Sequence, residues 1–246
     1  MANHLSGKTA LVTGGAKRLG RAVALALADS GADVAIHHRS SIREAQELAS
    51  ELRAKGVRAW TVSADLGKHH QVESLIDRVW DEAGRLDILI NNASIFSSSD
   101  LESVSFEDLT ANIQVNAWVP FELARRFARR AARGHIVNFL DTRVVGYDWS
   151  HVAYIASKHV LALFTRMMAV RFAPGIAVNA VAPGLILPPE GKDQSYLETL
   201  AGSLPLQRTG DPRQVADAVL YLVTSEFVTG QVIYVDGGRH VRGFEG

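Results

Sequence analysis

Thr9-Ala10-Leu11-Val12-Thr13-Gly14-Gly15-Ala16-Lys17-Arg18-Leu19-Gly20 reads as a short apolar strand that turns on glycines and runs into a helix. Glycines at such a junction let the chain turn sharply and approach a pyrophosphate. The anion then sits on the helix N-terminus, where unpaired N–H groups and the helix dipole favour negative charge. The spacing differs from G-x-G-x-x-G: Gly14 and Gly20 flank the turn, and Arg18 stands where the middle glycine would be. Plain turn chemistry is the alternative. The position at the first strand–helix junction of an alternating chain favours the nucleotide site.

The alternation extends outward from this stretch. Strand candidates are Thr9–Thr13, Asp33–His37, Ala59–Ser63, Leu86–Ile90, His135–Leu140, Ala177–Ala182 and Gln231–Val235. Helical patterns fall between them at 20–30, 42–55, 68–83, 105–131, 151–172 and 211–224. Near-continuous apolar strands alternating with helices specify a parallel sheet covered on both faces. Right-handed crossovers make it an α/β doubly wound Rossmann fold, with seven parallel strands. No repeat or linker divides residues 1–246, which read as a single domain. The irregular stretch from Pro183 to Pro212 has only a short helical pattern near Tyr196–Leu200. A long segment after a strand's carboxyl end is expected to be a lid or binding loop.

Composition narrows the function classes. Lys plus Arg and Asp plus Glu balance at 26 each in 246 residues, without the one-signed field that nucleic acid or an anionic membrane requires. With no cysteine, disulfides, thiolate metal sites and a cysteine nucleophile are excluded. Met1 to Lys8 is short and polar, unlike a signal peptide, and no apolar run reaches the roughly 18 residues of a membrane span. A cytoplasmic protein is expected.

The end of the second strand bears on the cofactor. An NAD site usually places Asp or Glu there, to accept from the ribose hydroxyl. This strand ends instead in His37-His38-Arg39-Ser40, with no carboxylate. Arg39, Ser40 and Lys17 would meet a 2′-phosphate through charge-assisted hydrogen bonds, so NADPH is expected. An exposed polar turn is the alternative. After the third strand, Asp65-Leu66 could accept from an adenine amino group or cap the next helix.

Tyr154 is the one tyrosine followed four residues later by a lysine, Lys158, and the helical pattern puts both on one face. A phenol has a pKa of about 10, and a nearby ammonium favours its ionised form. The pair is a candidate proton relay beside a nicotinamide.

Taken together, these residues resemble the short-chain dehydrogenase/reductase family over essentially the whole chain. The glycine turn, Asn91-Asn92-Ala93, Asn116, Tyr154-x-x-x-Lys158, Pro183-Gly184 and Asp236-Gly237-Gly238 occur in family order. The resemblance implies that Tyr154 donates or accepts the proton and that Lys158 binds the nicotinamide ribose and tunes the tyrosine. It implies that Asn116 holds a relay water. It extends the expected cofactor contacts to Gly14, Lys17, Arg18, Leu19, Gly20, His38, Arg39, Ser40, Asp65, Leu66, Asn92, Ala93, Ser94, Pro183 and Gly184. A homotetramer, built partly on the helices at 105–131 and 151–172, is also implied.

One departure concerns the substrate. The family's serine, thirteen residues before the tyrosine, is here Asp141. A carboxylate beside a phenol disfavours tyrosinate, leaving Tyr154 protonated and able to donate, with Asp141 itself charged or protonated according to burial. Strand alternation points the neighbouring Thr142 the other way. Asp141, Arg18, the Ser94 and Phe96 pair, and His38-Arg39-Ser40 are similar to the pteridine reductase branch. The tail Asp236–Val241 and the stretch from Pro183 to Leu187 resemble bacterial dihydromonapterin/dihydrofolate reductases. That resemblance implies reduction of dihydropterins or dihydrofolate, the tetrahydrobiopterin type of chemistry. Phe96 would stack on the pterin, Ser94 would bond to its edge, and Arg18 would bridge phosphate and pterin.

Two rivals stand beside this expectation: a general carbonyl reductase of 3-oxoacyl or sugar-like substrates, and a non-catalytic NADPH-sensing scaffold. Three other features have bland explanations. Arg125, Arg126, Arg129, Arg130 and Arg133 read as a solvated or interface face. His37-His38 and His69-His70 lack convergent carboxylates, so no metal is assigned. Tyr147 with His151 repeats the catalytic spacing without the lysine and reads as loop packing.

Overall fold

A computed structural model describes residues 4–189 and 191–242; the polar start at Met1–Asn3 lies outside the described residues. Seven strands form one parallel sheet: β1 (Thr9–Val12), β2 (Asp33–His38), β3 (Ala59–Ser63), β4 (Ile88–Asn91), β5 (Gly134–Phe139), β6 (Ile176–Pro183) and β7 (Val232–Val235). Their order is β3-β2-β1-β4-β5-β6-β7, so the winding direction reverses between β1 and β4. Ligands of doubly wound sheets bind at that reversal, beyond the carboxyl ends of the strands. The two faces follow from strand alternation. Ala10, Val12, Ile88 and Ile90 pack beneath helices α1 (Arg18–Asp29), α2 (Ile42–Ala54) and a later helix at Pro212–Thr224. Leu11 and Leu89 face the opposite way, toward α3 (His69–Ala83) and the helix at Val119–Arg130. The strands are buried on both sides, which is why they are apolar without alternation.

The expected helix at 105–131 is not one α-helix. It comprises α4 (Phe106–Ile113), a π-helical turn over Gln114–Trp118 that contains Asn116, and α5 (Val119–Arg130). Pro120 has no N–H to give to the Asn116 carbonyl four residues back, and the α-helical ladder yields there. A capping box between Ser105 and Asp108 starts α4. Next come α6 (Val152–Arg171), α7 (Gln194–Ala201) and α8 (Pro212–Thr224), with a terminal turn α9 (Arg239–Arg242) that the sequence pattern did not suggest. Capping by Asp211 with Gln214, and Pro212 in the first turn, fixes where α8 begins. Among the described residues, no helix is long and apolar enough to cross a membrane.

Three of the arginines on α5 are paired with nearby carboxylates. Arg126 bridges Glu122 and Glu73, Arg125 pairs with Glu122, and Arg130 reaches Asp77 and Asp81.

Candidate active site

A cleft of about 760 Å³ lies over the carboxyl ends of the strands, at the sheet reversal. Every residue expected from the sequence to touch cofactor or substrate lines it, and so do Asp141, Tyr154 and Lys158. Asn116 does not.

At the nucleotide end, Gly14 adopts φ 60°, in the left-handed region that favours glycine. Its N–H donates to His37 Nδ1 at 3.0 Å, while His37 Nε2 donates to the Ala64 carbonyl at 3.0 Å. That pattern uses one ring nitrogen as acceptor and the other as donor, so the imidazole is neutral. Burial lowers its pKa to about 4. His37 is thus a post joining the ends of β1, β2 and β3, a role the sequence did not suggest. Across the reversal, Asn92 Nδ2 donates to the Thr13 and Gly14 carbonyls at 2.9 and 3.1 Å. The Thr13 hydroxyl accepts from the N–H groups of Asn92 and Ala93 at 2.9 and 3.0 Å. The Asn92 amide is therefore a brace for the glycine turn, and what it offers a cofactor is a shaped wall.

His37 has a consequence for stability. Between pH 6.5 and about 4 the unfolded chain binds a proton there that the folded chain refuses, so stability falls as pH drops through that window. The loss is at most about 3 kcal/mol. Urea unfolding across this range should show a steeper loss for the wild type than for His37→Asn; parallel curves would contradict a neutral, buried His37.

Arg18, which replaces a glycine, adopts φ 53°, so this position needs the left-handed conformation that glycine would supply freely. Its guanidinium donates to the Pro188 carbonyl at 2.6 Å, tying the glycine turn to the segment after β6. Two expectations change here. Lys17 is paired with Glu44 at 2.6 Å, because the start of α2 lies across the cleft rim. Asp65 does not cap α3, whose N-cap is Lys68; its carboxylate instead accepts from Gly67 N–H at 3.0 Å in a local turn. Arg39 and Ser40 stand exposed at the rim, and the buried His38 Nδ1 has no hydrogen-bond partner among the described residues. An orphaned polar atom beside an exposed arginine and serine fits the phosphorylated end of a dinucleotide.

At the other end, the Tyr154 hydroxyl donates to Asp141 Oδ2 at 3.3 Å. Burial and the Asp141 charge raise the phenol well above its ordinary value, so it stays protonated. Asp141 thus has the effect expected of a carboxylate beside the phenol, and Lys158 does not offset it: its ammonium lies 5.5 Å from the Tyr154 ring centre and donates to the Phe139 carbonyl at 2.7 Å. Burial lowers Lys158 to about 8. Burial also pushes Asp141 upward, but hydrogen bonds and charge from Arg143 outweigh it and hold the carboxyl below the usual range. Asp141 is therefore an anion through the neutral range. Thr142 points away, as alternation implied, and its hydroxyl donates to Asp236.

Asn116 is fully buried, and its amide is spent on protein partners. Oδ1 accepts from Ile95 N–H at 2.8 Å and Ser94 Oγ at 3.0 Å; Nδ2 faces Ile95 O and Ser157 Oγ, each at 3.0 Å. Its side chain holds the Ser94–Ile95 turn against α6. Ser94 is committed to that turn as well. Phe96 is 49% exposed, with one face stacked on His151 at 4.1 Å and an edge-on contact with Tyr154 at 4.7 Å. His151 therefore backs Phe96 from outside the cleft and does not itself line it. Arg143 and Asp148, which hold Asp141 and His151, were also missed; Asp-x-Arg at a strand end was the available signal.

Comparison with known proteins supplies the context. A family profile described as enoyl-(acyl carrier protein) reductase matches residues 14–240. A 3-oxoacyl-[acyl-carrier-protein] reductase, FabG, of Staphylococcus epidermidis is 32% identical over 244 residues, 95% of this chain and 99% of that one. The FolM alternative dihydrofolate reductase 1 of Brucella canis, solved with NADP, superposes with a TM-score of 0.93 at 33% identity, covering 100% and 98% of the two chains. A short chain dehydrogenase of Burkholderia cenocepacia, also with NADP, gives 0.89 at 33% identity over 96% and 99%.

Proposed function

Because the chain belongs to the short-chain dehydrogenase/reductase family, we propose that it is an NADPH-dependent pteridine reductase acting on dihydropterins or dihydrofolate. The coarser statement, an NADP-dependent oxidoreductase, follows from the family and from NADP-bound neighbours that cover nearly the whole chain. The observation that carries the finer one is the anionic Asp141 bonded to the Tyr154 hydroxyl. The likeness to FolM supports it.

NADPH, when bound, supplies a hydride. The glycine turn and the start of α1 would hold its pyrophosphate, Arg39, Ser40 and His38 its 2′-phosphate, and Lys158 its ribose. Tyr154 gives the hydroxyl proton to the ring nitrogen next to the reduced carbon. Asp141 keeps that hydroxyl protonated beforehand and offers a carboxylate oxygen to an N–H of the substrate. Phe96 presents an apolar ring for a flat heteroaromatic to lie against. Residues 1–246 are read as one reductase domain, cytoplasmic and homotetrameric. Exposed Trp118, Leu163, Met167 and Val170 around the π turn and on α6 support that assembly.

The second reading, a 3-oxoacyl reductase, is favoured by the identity with FabG. It calls for a neutral hydroxyl donor at position 141, where this chain has a carboxylate. A scaffold without chemistry would have no use for the buried Tyr154–Asp141–Lys158 arrangement. Asp141→Ser decides the point. Pteridine reduction should fall about tenfold or more, with NADPH affinity retained; an unchanged rate would remove Asp141 from the mechanism.

A further inference from the structure

Arg143 has no part in the chemistry so far. Its Nε and Nη2 grip the two oxygens of Asp141 at 2.9 and 2.8 Å, and its main-chain N–H adds a third bond at 2.9 Å. Nη1 donates to Asp148. Asp148 accepts from His151 Nδ1 at 2.9 Å, and the His151 ring lies on Phe96 at an interplanar angle of 17°. The guanidinium itself sits 5.7 Å from the Phe96 ring centre and 5.9 Å from that of Tyr154. One cation therefore ties together the carboxylate and the aromatic wall that flank the Tyr154 hydroxyl. A guanidinium does not give up its proton in a protein, so the chain from His151 to Asp141 is a fixed brace and not a proton wire.

We propose that Arg143 is a positioning residue: it fixes Asp141 as an anion against the Tyr154 hydroxyl and, through Asp148 and His151, steadies Phe96, so that the cleft selects a flat ring offering an N–H beside its reducible bond. The choice of substrate rests on the pteridine-reductase reading; the brace does not. The charged and titratable groups facing Asp141 are Arg143 in the turn after β5, Tyr154 and Lys158 of α6, and Arg239 of α9, while Asp148, in the loop before α6, meets it only through Arg143. Among the hydrogen bonds to its carboxylate, those from Arg143 form a planar two-point fork, which an ammonium cannot reproduce.

Arg143→Met removes the charge and keeps most of the bulk. The acid limb of kcat/KM on a dihydropteridine should then move up by several pH units, about the 3–5 that a buried carboxyl without its counter-charge can shift, with turnover at neutral pH down about tenfold. NADPH affinity, read by fluorescence titration, should not change. Arg143→Lys should leave the acid limb in place and raise KM. A uniform loss at every pH in the Met variant, or an unchanged KM in the Lys variant, would overturn the proposal. Infrared titration separates this from the substrate reading. A protonated-carboxyl band should appear near neutral pH in Arg143→Met and vanish when Asp141→Asn is added; its absence refutes the brace even if no pteridine is turned over. If the Met variant fails to fold, the Lys variant's KM decides.

Discussion

Tyr154→Phe is expected to lower kcat on a dihydropteridine by about 10²–10⁴-fold, the usual range for losing a positioned proton donor. The hydroxyl it removes is the one that donates to Asp141 Oδ2. Phenylalanine fills the same volume against Phe96, so the cleft keeps its shape. Nor is a buried charge orphaned, because Arg143 still holds both oxygens of Asp141. Stability should therefore change by no more than about 1 kcal/mol, and NADPH should bind as before. Steady-state rates, thermal melts and fluorescence titration on one preparation test all three statements. A variant that keeps its turnover would show that the proton comes from elsewhere.

Gly20→Ala should be as damaging to binding as Tyr154→Phe is to chemistry. Gly20 lies in the first turn of α1, where helix propensity alone would favour alanine by about 1 kcal/mol. Contact geometry opposes that preference. A Cβ at Gly20 would stand 2.2 Å from the Gly14 carbonyl oxygen, 2.7 Å from Asn92 Nδ2 and 2.9 Å from Gly15 Cα. Two of these neighbours are main chain, and the third is the brace that holds the turn. The backbone must move, at a cost of about 1–3 kcal/mol or more, and the net effect is destabilising. The displaced turn no longer presents its N–H groups to a pyrophosphate. We expect NADPH affinity to drop about a hundredfold, the effect of losing one or two hydrogen bonds to a charged group. The melting temperature should fall as well. Wild-type affinity in this variant would mean that the glycine turn is not the phosphate site.

How much of this was legible in the sequence depended on how local each feature is. The sheet was legible because runs such as Ala10–Val12 and Ile88–Ile90 are buried on both faces and carry no polar residue. The glycine turn, Arg39, Asn92 and Asp141 were legible because they sit at strand ends, where the fold itself gathers them over one cleft, and Tyr154 with Lys158 because one helical turn puts them on one face of α6. The break at Asn116 was hidden, since apolar periodicity continues through a π turn and only Pro120 marks it. Long-range pairing was hidden too. Lys17 is 27 residues from Glu44 in the chain and lies 2.6 Å from it in the fold. The Arg143–Asp148–His151 brace depends on the course of an irregular loop, which no periodicity encodes. His37 looked like a distractor because its partners, Gly14 N–H and Ala64 O, are main-chain atoms and leave no mark in side-chain patterns.

The central claim is that an anionic carboxylate beside a protonated phenol makes this a pteridine reductase and not a carbonyl reductase. The direct measurement is NADPH oxidation by the purified wild-type protein on dihydropterin, dihydrofolate and a 3-oxoacyl thioester, at equal concentrations. Turnover of the dihydropteridines, with kcat/KM well above that for the thioester, is the predicted result. Turnover of the thioester with none on any dihydropteridine would contradict it.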